Sequence, residues 1–190
     1  MDSNGNSITA NVNFTTNTVT ANGTTIYFMG PGTLNIGSYS TVSMNNSSVY
    51  ITNGDFNASN GTYIANNITI YIKQGNFYLQ NGLYGVTMSS PGCSTLDCHV
   101  PPSTEGVLVN LDKNYSHTFT ITNGNGPHSL KGTIYAPTSL VELSGGTSTA
   151  TDDVQIIAKQ INVSGGAILN MNLSDATLYS QGSTVIELQK

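Results

Sequence analysis

Val141-Glu-Leu-Ser-Gly-Gly146 is answered about twenty positions later by Ile161-Asn-Val-Ser-Gly-Gly166, and Ile134-Tyr-Ala136 by Ile156-Ile-Ala158. In each copy apolar and polar residues alternate over four or five positions and a glycine pair closes the run, the pattern of a short strand that ends in a turn. Two adjacent glycines let the backbone take positive φ with no Cβ clash, as a tight corner between strands requires. Self-similarity at a period near twenty residues marks stacked coils.

Outward from this stretch the rhythm continues. Thr25-Ile-Tyr-Phe28, Thr33-Leu-Asn-Ile36, Thr41-Val-Ser-Met44, Ser48-Val-Tyr-Ile51, Thr62-Tyr-Ile64, Ile68-Thr-Ile-Tyr-Ile72, Asn76-Phe-Tyr-Leu79 and Gly85-Val-Thr-Met88 are short alternating runs. Gly30-Pro31-Gly32, Asn53-Gly54, Asn60-Gly61, Gln74-Gly75 and Asn81-Gly82 punctuate them as turns. Asn-Gly also suits the two-residue hairpins of an antiparallel β-sandwich, which is the alternative fold. The longer period, close to three strand-plus-corner units, favours a three-faced parallel β-helix over all 190 residues as one all-β domain. In such a coil Ile26, Leu34, Val42, Ile70, Val86, Leu108, Ile134, Ile156 and Val163 point inward and stack on their counterparts one turn away.

Pro91 to Thr104 breaks the rhythm with three prolines, both cysteines and one histidine, and reads as a loop inserted into the coil at 91–104. Thr184-Val-Ile-Glu-Leu188 reads as a last strand. Neither end carries an amphipathic cap helix, so Val185, Ile186 and Leu188 form a candidate assembly edge for end-to-end or donor-strand contact with a neighbouring chain.

Composition narrows the function. Charged residues are 8% of the chain and the formal net charge is −5, with five lysines and no arginine. No basic stripe exists to neutralise phosphates, which argues against nucleic acid as a partner. No apolar run reaches the length of a membrane span, and Met1-Asp-Ser-Asn-Gly-Asn6 lacks the features of a signal peptide. Any export signal or membrane anchor is therefore expected outside this chain.

Laid out in order, Gly85-Val-Thr-Met-Ser-Ser90, Gly106-Val-Leu-Val-Asn-Leu-Asp112, Thr118-Phe-Thr-Ile121, Ser129-Leu-Lys-Gly-Thr-Ile-Tyr-Ala-Pro-Thr-Ser139, Leu143-Ser-Gly-Gly146 and Gln155-Ile-Ile-Ala158 resemble the C-terminal domain of TadG-like and related pilus-assembly proteins of bacterial surfaces. The likeness runs from Gly85 to Leu173, and Gly-Thr-Ile-Tyr-Ala-Pro-Thr-Ser is its most specific part. It implies an exported, right-handed β-helical module used in pilus assembly, attachment or surface display, with other surface or filament subunits as partners and no enzyme activity. The insertion after Ser90 and the Asn- and Thr-rich N-terminal half depart from that pattern.

Residues that could carry chemistry are few. Cys93 and Cys98 lie close enough in one short loop to close a disulfide in an oxidising compartment. As zinc ligands with His99 they lack a second pair. His117 and His128 read as exposed polar residues. Asp152, Asp153 and Asp175 offer carboxylates for calcium, but the glycine-rich nonapeptide of calcium β-rolls is absent. Asp55, Asp97, Glu105, Asp112 and Glu142 are too dispersed for the converging acids of a glycan-cleaving enzyme. No catalytic, cofactor or metal site is expected. Tyr27, Tyr50, Tyr63, Tyr71 and Tyr78 recur through the N-terminal half as a face that either stacks sugars or simply ladders along the solenoid. The expectation is thus an extracellular, non-enzymatic structural or adhesive module, with a carbohydrate-binding or carbohydrate-active β-helix as the alternative.

Overall fold

The computed structural model describes residues 12–14, 18–20, 25–36, 41–80, 85–92, 104–123, 128–145 and 153–165. Among them every regular element is a strand, and all pair in parallel into a β-solenoid of about five turns. Three strands make one coil. The first face stacks β1 (Val12–Phe14), β4 (Leu34–Ile36), β7 (Phe56–Ser59), β10 (Phe77–Gln80) and β13 (Thr118–Asn123). The second stacks β2 (Thr18–Thr20), β5 (Thr41–Ser43), β8 (Thr62–Ala65) and β11 (Gly85–Ser89). The third stacks β3 (Thr25–Pro31), β6 (Ser47–Asn53), β9 (Ile68–Ile72) and β12 (Val107–Leu111). The long strand β14 (His128–Gly145) bends round all three faces, pairing in turn with β11, β12 and β13, and β15 (Asp153–Ser164) follows it. The parallel pairing excludes the antiparallel sandwich.

The self-similarity read from the sequence is the register itself. Val141 lies on Ile161, Leu143 on Val163, Ile134 on Ile156 and Ala136 on Ala158. Because alternate residues of a strand face opposite ways, stacking like on like builds apolar columns inside. One column on the third face runs Ile26, Val49, Ile70, Val109, Ile134, Ile156. On the first face Leu34, Phe56, Phe77, Phe119 and Val141 follow one another, all buried. The Phe56 and Phe77 rings are 5.0 Å apart and those of Phe77 and Phe119 4.7 Å, each pair parallel within 5°. Of the residues expected inside, Ile26 and Ile156 are partly buried against the core. Val163 continues the Leu143 column but is 46% exposed, so the inward position expected for it is not a buried one.

The corners are hydrogen-bonded ladders. Between the second and third faces Asn66 donates Nδ2 to Asn45 Oδ1 at 3.0 Å and Asn67 to Asn46 at 2.9 Å. Asn46 and Asn67 take φ of 51° and 55°, a region asparagine tolerates better than most residues. Between the third and first faces, Asn76 donates its backbone N–H and its amide to Asp55 Oδ1, and its own Oδ1 accepts from the Thr118 N–H at 2.9 Å. Gly54 and Gly75 stack beside this corner at φ of 144° and 138°, and a Cβ on Gly75 would lie 1.9 Å from the Gly54 carbonyl oxygen. Only glycine fits there.

Candidate functional site

Strand alternation sends Tyr50 outward between buried Val49 and Ile51, and parallel register places Tyr27 and Tyr71 directly on either side of it. The Tyr50 and Tyr71 rings stack at 4.8 Å and 12°, and Tyr27 meets Tyr50 at 5.9 Å with a tilt of 48°. The same outward column continues through Asn110, Tyr135 and Ile157. The aromatic series is therefore interrupted for one rung, at Asn110, and resumes at Tyr135.

Asn110 belongs to the coil that departs most from the repeat. Its partners show by how much: Ala65 and Ile70 are five positions apart, whereas Met88 and Val109, which stack on them, are twenty-one apart. The extra residues include the expected insertion, and its return is pinned to the third face: Thr104 N–H donates to Thr69 Oγ1 at 3.1 Å, and Thr69 donates on to the Val107 carbonyl at 2.9 Å. The strand then shifts register between Val107 and Val109. After β12 a second, smaller excursion occurs. Ile72 and Phe77 are five positions apart, but Leu111 and Phe119, stacked on them, are eight apart. Those added residues form an Asx turn in which Asp112 Oδ1 accepts from the N–H and the amide of Asn114 at 2.9 and 2.8 Å. Both excursions and the Asn110 substitution in the tyrosine column meet at one cleft of about 390 Å³, walled by Tyr71 and Tyr135 with Asn110 between them and Thr104, Val107, Asp112, Lys113 and Asn114 around it.

The electrostatics of the cleft are settled by one hydrogen bond. Tyr71 donates its hydroxyl to Asp112 Oδ2 at 2.7 Å. Burial pushes the Tyr71 phenol above its ordinary range, and the bond to Asp112 with its negative charge adds to that. For Asp112 burial acts upward. The bonds from the Asn114 N–H, the Tyr71 hydroxyl and the Asn114 amide, with His117 nearby, outweigh it and hold the carboxyl below its usual range. At neutral pH the cleft presents an ionised acceptor, a neutral phenol, the Lys113 side chain and the Asn110 amide, which has no hydrogen-bond partner among the described residues. Two aromatic walls and a polar perimeter can hold a flat, hydroxylated ring. Among the described residues no three metal-ligating side chains come together.

The structure sorts the tyrosines singled out in the sequence. Tyr27, Tyr50 and Tyr71 share the third face. Tyr63 does not: it is in register with Val42 and Val86, which face the core, and it is 2% exposed with its hydroxyl donating to the Ser59 carbonyl. Tyr78 lies on the first face, between Asn57 and Thr120. The five tyrosines are thus not one platform. Tyr135, absent from that set, shares the column of Tyr27, Tyr50 and Tyr71, because it pairs with Asn110 and Asn110 pairs with Tyr71. His117 is not an exposed polar residue; it is 5% exposed, with one ring nitrogen against the Gly75 carbonyl and the other 2.9 Å from the Asp112 carbonyl. Of the acids, Asp55 sits in a corner ladder and Glu142 beside Thr120 on the first face. Cys93, Asp97, Cys98, His99, Asp152, Asp175, Val185, Ile186, Leu188 and the side chain of His128 lie outside the described residues. Comparison of the chain with protein-family models, with curated proteins and with solved structures gave no match.

Proposed function

We propose that this chain is a non-enzymatic module of an extracellular, cell-surface or filament-associated protein, in which a solenoid rod supports an attachment face. The observation that carries this reading is the tyrosine column of the third face, held outward by the register of β3, β6 and β9 and partly open to solvent among the described residues. The low charge and the likeness of 85–173 to TadG-like domains point the same way. Its partners are then other surface or filament subunits, its own coil ends, or surface glycans. Antibodies raised against the domain should label intact cells of the source organism and the filament fraction sheared from them. Signal confined to the cell interior would refute the assignment.

A second reading, glycan binding on the tyrosine face, is favoured by the cleft between Tyr71 and Tyr135. A glycan array probed with the purified domain tests it, and absence of any retained glycan counts against it.

A further inference from the structure

The geometry points to the gap at Asn110 as a binding site for a single uncharged pyranose residue, which inserts between Tyr71 and Tyr135 as the missing rung of the aromatic column. This rests on the glycan-binding reading above and assigns it a place and a size.

The size follows from the ladder. Tyr50 and Tyr71, on consecutive rungs, stack at 4.8 Å. Tyr71 and Tyr135 stand two rungs apart, about 9.6 Å at the parallel-strand spacing. A six-membered ring centred between them lies about 4.8 Å from each, inside the range of favourable ring contacts. One ring fits and two do not. The cleft volume of about 390 Å³ is at the small end of ligand sites, as a monosaccharide-sized guest requires.

The chemistry of the perimeter selects the guest. A pyranose is apolar on its two faces and polar round its edge, and the cleft has the same arrangement: tyrosine walls, and amides, a carboxylate and the Lys113 side chain at the sides. Asp112 already accepts three hydrogen bonds, two on Oδ1 and one on Oδ2, which leaves acceptor capacity on a carboxylate that is ionised at neutral pH. The Asn110 amide supplies both a donor and an acceptor. A purely aromatic guest would leave those groups desolvated and unpaired, which disfavours it. Asp112 and Lys113 place one charge of each sign on the perimeter, so the cleft carries no net charge that would favour an ionised sugar over an uncharged one.

The test uses methyl pyranosides of glucose, galactose, mannose and N-acetylglucosamine, read by saturation-transfer NMR and by titration of ¹³C-tyrosine-labelled domain. At least one should bind and shift the Tyr71 and Tyr135 ring signals while leaving those of Tyr63 and Tyr78 in place. Tyr71→Ala and Tyr135→Ala should each weaken binding about tenfold, the loss of one stacking contact. Asn110→Tyr should abolish it by filling the gap with the chain's own ring, with the thermal midpoint kept or raised. The ring-signal map of the unmutated domain decides the matter even if a variant does not fold. Failure of every pyranoside to bind overturns the proposal, as does preferential binding of p-cresol. Sugar binding that persists in Asn110→Tyr, or that shifts other tyrosines, overturns this site while leaving the glycan-binding reading intact.

Discussion

Replacing Phe77 with alanine is the sharpest test of how the rod is held together. Phe77 is 1% exposed and is the middle ring of three, with Phe56 at 5.0 Å on one side and Phe119 at 4.7 Å on the other. Truncating a buried Phe costs about 3–5 kcal/mol through lost transfer energy and the cavity left behind. Each parallel ring contact contributes roughly 0.5–1.5 kcal/mol beyond its area, and Phe77 loses two of them. The truncation range already contains such losses, so two ring contacts place Phe77 in its upper half, at about 4–5 kcal/mol. Phe119→Ala should cost about 1 kcal/mol less, because its other neighbour in the column is Val141 and it loses only one ring contact. Phe77→Leu keeps most of the volume and should cost about 1–2 kcal/mol.

Urea denaturation followed by far-UV circular dichroism measures these differences. A double-mutant cycle between Phe56 and Phe77 isolates the ring contact itself. In a solenoid, stability adds coil by coil through nearest-neighbour interfaces, so a weakened central interface should also lower the denaturant slope as the two halves begin to unfold separately. A Phe77→Ala cost below about 2 kcal/mol, or equal costs for Phe77 and Phe119, would refute the argument that the stacked rings bind successive coils.

Gly75→Ala puts a Cβ 1.9 Å from the Gly54 carbonyl oxygen at a φ of 138°, and should destabilise the domain by roughly 2–4 kcal/mol; a thermal midpoint within two or three degrees of the parent would contradict that. Asn76→Ala leaves the Thr118 N–H without its side-chain acceptor and removes a donor to Asp55, an expected loss of about 1–3 kcal/mol by the same denaturation assay. The Asp112 carboxyl, held below its unfolded value, contributes stability that is fully present above about pH 4 and is lost as pH falls through its folded pKa. The Asn114 amide signal should therefore stay fixed from pH 7 to about pH 5 and move only under stronger acid, a movement that Asp112→Asn abolishes. The same substitution should bring the Tyr71 phenol back toward its ordinary range, because it removes the charge that opposes phenolate formation, although burial still holds it high. An unchanged Tyr71 titration in ¹³C-tyrosine NMR would show that Asp112 does not govern the cleft.

The fold was legible because in a parallel coil the sequence repeat and the hydrogen-bond register are the same object. Val141 answers Ile161 in the sequence and pairs with it in the sheet. Short strands such as β7 (Phe56–Ser59) escaped because Phe-Asn-Ala-Ser offers only two apolar positions, and its burial depends on Leu34 and Phe77 lying against Phe56. Tyr63 shows where local pattern stops. Nothing in Thr-Tyr-Ile distinguishes which of Tyr63 and Ile64 faces in, and the exposed one is Ile64, at 38%. The parity is fixed by the preceding turn, where Asn60 takes a φ of 51°, and by register with Val42 and Val86.

The cleft was not legible for a related reason: it is defined by what fails to repeat. A column of like residues is self-consistent, since each rung is packed and hydrogen-bonded by its copies. A departure loses those partners and must be satisfied locally. The coil that contains Asn110 departs from its neighbours in the tyrosine column, in the loop before β12 and in the turn after it, and each departure is stabilised by its own bonds, at Thr69 and at Asp112. Three independent irregularities scattered over the rod would need no common cause. All three border the same 390 Å³ of space, and the turn residue Asp112 bonds the hydroxyl of the very tyrosine at which the aromatic series stops. A tyrosine at position 110 would continue the ladder unbroken, and the asparagine there, framed by the two excursions, is the geometry on which the proposed pyranose site rests.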